Sequence, residues 1–170
     1  MARRMDYVIA LDEPAANLYQ SFTSRQYWED LVEIHVGNAQ TELTHFVIGD
    51  SGTDITFTHT MTRQNLPPIA AAVVPVKITV TREQHFDPFD PDTNSATGHY
   101  AALVPAAPMD FGGTYVLSET DTGSQLCLSS LCEVKVPLIG GMIEDVVLGR
   151  LRHLFDAERD FTRAWIAEHY

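Results

Sequence analysis

The sequence predicts an α+β fold: one antiparallel sheet of seven strands, two short helices after the first strand, and a long closing helix. Three observations predict it. From Thr41 to Val136 the chain is a succession of Thr-, Val-, Ile-, Phe- and Tyr-rich segments divided by Gly, Asp, Asn and Pro turns. Two short helical patterns precede that run, and a single amphipathic pattern of about 27 residues follows it. Internal repeats, low-complexity tracts and breaks in composition are absent, so residues 1–170 are expected to form a single domain.

Each element has a local reason. Arg3 to Leu11 alternates, with Met5, Tyr7, Ile9 and Leu11 on one side, as a half-buried strand does. Pro14 suits the first turn of a helix over PAANLYQSF, and Thr23 or Ser24 can cap a second, SRQYWEDLVEIHV, ending near Gly37. Strands are then expected over Thr41–Gly49, Thr53–Arg63, Val76–Phe86, Ala96–Val104, Gly113–Thr120 and Leu126–Val136. Asp50-Ser51-Gly52 and Asp121-Thr122-Gly123 read as hairpin turns. Asn65 to Pro75 fits a short helix, a lid or an irregular crossing. After Pro137 to Gly141, Met142 to Glu168 spans roughly 40 Å as a helix. It carries Ile143, Val147, Leu151, Leu154, Phe161 and Trp165 on one face and Asp145, Arg152, Asp156, Arg159 and Arg163 opposite.

Composition excludes several functions. Lys and Arg number 11 against 23 Asp and Glu, a formal charge of −12, and the only basic cluster is Arg3-Arg4. That charge disfavours nucleic acid as a partner and also disfavours anionic membrane surfaces. The longest apolar stretch, Ile69 to Val76, has eight residues and contains Pro75, far short of the roughly 20 that span a bilayer. MARRMDYVIALDE has too short an apolar run for a secretory signal, so a cytoplasmic protein is expected. Cys127 and Cys132 are an odd number of residues apart in one strand, on opposite faces, where they cannot easily bridge. With no H-x-x-x-H pair, no glycine-rich phosphate loop and no G-x-S-x-G elbow, neither metal nor cofactor is expected.

The stretch EPAANLYQSFTSRQYWEDLVE, the six strands after it, and VKVPLIGGMIEDVVLGRL leading into a helix that ends FTRAWI resemble the START-like superfamily. Lipid-transfer domains, polyketide cyclases and aromatases, and the birch-pollen-allergen group belong to it. The terminal block is similar to an uncharacterised, mostly actinobacterial subfamily. The resemblance covers the whole chain and implies the helix-grip fold, a sheet curled around the last helix with a cavity between them for a hydrophobic or amphipathic small molecule. A curved sheet with an apolar inner face and a helix across its mouth leaves such a concave space on independent grounds.

Polar residues on the apolar faces are then the informative ones. Glu158 lies at the centre of the helix's apolar stripe, so its carboxylate must be paired, protonated or wetted by a cavity. His59 shares phase with Ile55, Phe57 and Met61, and Arg82 and Gln84 follow Val76, Ile78 and Val80 in phase and precede Phe86. Candidate cavity residues are therefore Phe57, His59, Met61, Arg82, Leu154, Glu158, Phe161 and Trp165, with Arg82 and His59 as possible partners of Glu158. Glu158→Gln is expected to change ligand uptake at little cost in stability. His45 can face either way, between Leu43 and Val47 in one phase and Phe46 and Ile48 in the other. DPFDPDTN lacks the spacing and glycine of a calcium loop and reads as a solvated turn. The favoured function is a binding or carrier protein. Alternatives are a cyclase, aromatase or dehydratase using Glu158 or His59 as acid or base, and a protein-interaction module with a packed cavity.

Overall fold

Strands form where the inward set of an alternating sequence can be buried together, and a computed structural model of the chain shows where that occurs. It describes residues 2–34, 40–73, 76–105 and 107–170. Strands β1 (Arg3–Leu11), β2 (Gln40–Gly49), β3 (Gly52–Thr62), β4 (Lys77–Phe86), β5 (Ser95–Leu103), β6 (Met109–Thr120) and β7 (Gly123–Val134) make one sheet. Its spatial order is β1-β7-β6-β5-β4-β3-β2, and every neighbouring pair is antiparallel. Helices α1 (Ala15–Phe22) and α2 (Arg25–Ile34) follow β1, a short α3 (Pro68–Ala71) lies between β3 and β4, and α4 (Gly140–His169) closes the chain. This is the helix-grip fold. Gly37, where the second helix was expected to end, lies outside the described residues, as do Val74 and Pro75 of the segment after β3.

Two departures from the expected pattern have local causes. β6 begins at Met109 rather than Gly113, because Gly112 and Gly113 continue the ladder opposite Leu131 and Ser130. The missing side chain is replaced from the neighbouring strand: Tyr100 lies opposite Gly113, and a Cβ there would come within 2.4 Å of its ring. Gly98 and Tyr115 repeat the arrangement, with a Cβ at Gly98 only 2.3 Å from the Tyr115 ring. These glycines act as seats for rings that cover the sheet floor, not as turn residues. In β2 the register shifts between Leu43 and His45. The bulge brings Leu43 and Phe46 to the packed side and leaves His45 exposed, which resolves its ambiguous phase.

One end of the sheet is filled. Against it α1 and α2 bring Leu18, Phe22, Tyr27, Trp28 and Leu31, all buried. Phe22, Phe86, Tyr115 and Tyr100 stack in succession, while Tyr27 meets Trp28 and Trp165 edge to face. Polar tips find partners: the Trp28 indole N–H donates to the Phe22 carbonyl at 2.7 Å and that of Trp165 to Asp30 at 2.8 Å. The Tyr27 hydroxyl meets that of Thr162 at 2.8 Å.

The buried face of α4 is Ile143, Glu144, Leu148, Phe155, Thr162, Trp165 and Ile166. Its centre runs through Phe155 and Thr162, rotated from the stripe expected around Leu154 and Phe161. Helix entry is fixed by two small features. A Cβ at Gly140 would lie 2.4 Å from the Val134 carbonyl oxygen, so the helix starts this close to β7 only with glycine there. Glu144, 1% exposed, accepts the Val134 N–H at 2.8 Å and has the Arg3 guanidinium 3.5 Å from its other oxygen. The two cysteines are free, Cys132 on the buried face of β7 and Cys127 on the other, and burial followed by the Glu144 charge pushes the Cys132 thiol up to about 11.

Candidate functional site

The pairing of β3 with β4 runs unbroken from Thr53 opposite Phe86 to Thr62 opposite Lys77. Ile78, Val80, Arg82, Gln84 and Phe86 therefore keep one face, and a guanidinium is carried into the apolar interior. There it meets α4. Arg82 donates from Nη1 to Glu158 Oε1 at 2.5 Å and from Nη2 to Oε2 at 3.1 Å, with each side chain 13% exposed. The guanidinium carbon lies 5.0 Å from the centre of the Phe57 ring, in cation–π range. Burial opposes the Arg82 charge, but the attraction and hydrogen bonds of Glu158 outweigh it and hold the group protonated above its ordinary range. The pair is thus fixed and internally neutral. The bidentate geometry revises the expectation for Glu158→Gln: a stability penalty is now expected, because the substitution leaves a buried cation without its anion.

Two spaces flank this pair. The larger is a cavity of about 590 Å³ between the sheet and the first half of α4. Its walls include Ile78 and Val80 of β4, Ala102 of β5, Phe111 of β6, and Val147, Leu151 and Leu154 of α4. Around it lie Leu66, Ala70 and Val73 from the segment after β3, Ala107 and Pro108 from the β5–β6 connection, and Ile34 at the end of α2. The smaller is a pocket of about 40 Å³ further in, where Gln84, Tyr27, Tyr115 and Thr162 join Arg82 and Glu158. Arg82, Tyr100 and Phe155 line both. Burial raises the Tyr27, Tyr100 and Tyr115 phenols above their ordinary values, so all three are neutral donors near neutral pH.

The sequence-predicted residues divide between these places. His59, Met61, Arg82 and Leu154 line the larger cavity, while Glu158 lines the smaller pocket together with Arg82. His59 is anchored by Thr41, whose hydroxyl is 2.9 Å from Nδ1, and stands edge-on to Phe57. Phe57, Phe161 and Trp165 were expected in the cavity wall and instead belong to the packed region. Phe57 is fully buried near Trp28, and Phe161 and Trp165 meet Tyr27. The physical reason is that α1 and α2 fill the end of the sheet where the C-terminal turns of α4 lie, which displaces the open volume towards its N-terminal turns. Sequence reasoning missed Tyr100, Tyr115 and Glu144. The facing glycines at 113 and 98 were the available signal for the tyrosines, and a charged residue four before Leu148 and eleven before Phe155 was the signal for Glu144.

The sheet, the closing α4 and the space between them make the helix-grip fold, and solved structures share it. Ms6760 from Mycobacterium smegmatis aligns with a TM-score of 0.60 and 8% identity, over 98% of this chain and 92% of that one. Norcoclaurine synthase from Thalictrum flavum, in complex with dopamine and hydroxybenzaldehyde, aligns at 0.56 with 15% identity over 100% and 89% of the two chains. Ara h 8.0201 aligns at 0.56 with 13% identity over 99% of each. At these identities the likeness concerns the fold. The chain itself belongs to the family described as "Protein of unknown function (DUF2505)", which matches residues 6–166. Uncharacterised proteins of Mycobacterium bovis and Mycobacterium tuberculosis are 31% identical over 173 residues, covering 98% of this chain and 98% of their own.

Proposed function

We propose that this protein binds and carries a hydrophobic or amphipathic small molecule between its sheet and α4, as a cytoplasmic protein. The observation that carries the reading is the cavity itself: about 590 Å³ with mainly apolar walls, within the range of small-molecule sites. A core of this kind ordinarily closes on itself, since filling a void gains dispersion and removes apolar surface from water. Here Val80, Ala102, Val147 and Leu154 remain only partly buried around the space. The open cavity supports a binding role over an interaction module with a packed interior. The cyclase-like alternative asks for Glu158 and His59 in one pocket; Glu158 lines the small pocket in a bidentate ion pair, and His59 lines the large one. Norcoclaurine synthase, described with two small aromatic molecules bound, gives the same fold a precedent for small-molecule uptake. Two free thiols, and no helix among the described residues long and apolar enough to cross a membrane, support the cytoplasmic setting.

Titration with Nile red, an uncharged dye whose emission brightens in apolar surroundings, tests this. Saturable one-to-one binding is expected in the wild type and a loss of at least tenfold in affinity in Val80→Trp, which fills the cavity from the floor. Binding that is absent, or indifferent to Val80→Trp, would contradict the reading.

A further inference from the structure

Gln84 is 5% exposed, and its amide is only half satisfied. Its Oε1 accepts the Tyr115 hydroxyl at 3.4 Å, while Nε2 is buried and has no acceptor among the described residues, and Gln84 is part of the small pocket's lining. An amide hydrogen left unpaired in the interior is a sizeable penalty, and native structures seldom retain one without a use. Its surroundings limit what can answer it. Arg82 and Glu158 cancel each other's charge, and Tyr27, Tyr100 and Tyr115 are neutral, so a further ionised group would sit uncompensated beside the Glu158 carboxylate. About 40 Å³ is room for a small polar group or a few waters, and not for the body of an apolar ligand. The pocket shares Arg82, Tyr100 and Phe155 with the large apolar cavity.

We propose that the small pocket is the polar subsite of the ligand site and takes an uncharged oxygen, a carbonyl or hydroxyl, as acceptor for Gln84 Nε2, with the ligand's apolar body in the larger cavity. The ligand class is therefore a mostly apolar molecule with a neutral oxygen at the end that enters first, and not a fatty-acid-like anion inserted head first. This rests on the binding role proposed above and adds to it a chemical preference and an orientation.

The test uses four probes with one ring system: naphthalene, β-naphthol, β-acetylnaphthalene and β-naphthoate, each competed against Nile red on the wild type and on Gln84→Leu. In the wild type the alcohol and the ketone should bind about tenfold tighter than naphthalene, the effect of one buried hydrogen bond, and naphthoate should bind weakest. In Gln84→Leu the advantage should fall to about twofold or less, with naphthalene's own affinity little changed. Equal binding of the three uncharged probes, a preference that survives in Gln84→Leu, or naphthoate as the tightest ligand would each overturn the subsite while leaving the cavity's binding role intact. Failure of every probe and of Nile red would overturn both. Should Gln84→Leu not fold, the infrared carbonyl band of β-acetylnaphthalene bound to the wild type decides: a shift to lower frequency than in an apolar solvent supports the hydrogen bond, and an unshifted band refutes it.

Discussion

Replacing Glu158 by Gln separates a fixed buried ion pair from a decorative one. The substitution preserves shape, so what changes is charge: Arg82 keeps its proton, loses a bidentate anion and stays at 13% exposure. Removing one partner of such a pair costs about 3–5 kcal/mol. The lower end applies here, because the amide oxygen still accepts one N–H and the Phe57 face, 5.0 Å from the guanidinium, retains part of the attraction. For a domain of this size, about 3 kcal/mol corresponds to a fall of roughly 6–12 °C in melting temperature. Arg82→Met combined with Glu158→Leu removes both charges and should recover most of that loss. Urea unfolding measures the difference as a shift of midpoint at unchanged slope. A penalty below about 1 kcal/mol for Glu158→Gln, or a double variant no more stable than the single one, would refute the reasoning.

Other expectations follow from single contacts. Glu144→Ala leaves the Val134 N–H without its acceptor at the start of α4, while Arg3 keeps Asp145 as a partner, and should cost about 1–3 kcal/mol in urea unfolding; a change within experimental error would show that α4 is placed without it. Gly113→Ala drives a methyl into the Tyr100 ring, 2.4 Å away, and should destabilise by about 1–3 kcal/mol and perturb the near-ultraviolet tyrosine signal. His85 is bonded to Asp54 at 2.7 Å, and that bond, against a counteracting desolvation and with help from Asp87, raises its pKa. The folded state therefore binds the proton more tightly than the unfolded chain. The resulting stability is complete below the ordinary histidine value and fades as pH rises through the raised one. Between about pH 5.5 and about pH 8.5 the wild type should lose more thermal stability than His85→Gln, and parallel profiles would show that the pair contributes nothing.

The sequence carried the fold because two periodicities were clean. Period two in β3 and β4 and the helical stripe of α4 put Arg82, His59 and Glu158 on apolar faces, and a buried carboxylate needs a partner, so the sequence offers Arg82 and His59 as candidates, of which Arg82 forms the bidentate pair. What failed was long-range. Nothing in the local pattern of Phe161 and Trp165 says that α1 and α2 occupy the end of the sheet they face, so packed aromatic residues looked like cavity wall. Gly112-Gly113 resembled a strand boundary because a glycine's role depends on what lies across from it, here Tyr100. His45 was indeterminate for the same reason: the bulge in β2 that turns it outward shows in the pairing with β3. Gln84 was legible in phase with Arg82, but its unpaired amide hydrogen becomes visible only once Tyr115 is seen to satisfy one side of the group.

The most direct test of the central claim is native mass spectrometry of the protein purified from its own host, before and after extraction with organic solvent, alongside Val80→Trp prepared in the same way. The cavity reading predicts one small, mainly apolar molecule per wild-type chain, removed by the solvent and absent from the variant. A wild-type chain that carries nothing beyond its own mass, together with Nile red excluded from the extracted protein, would contradict it.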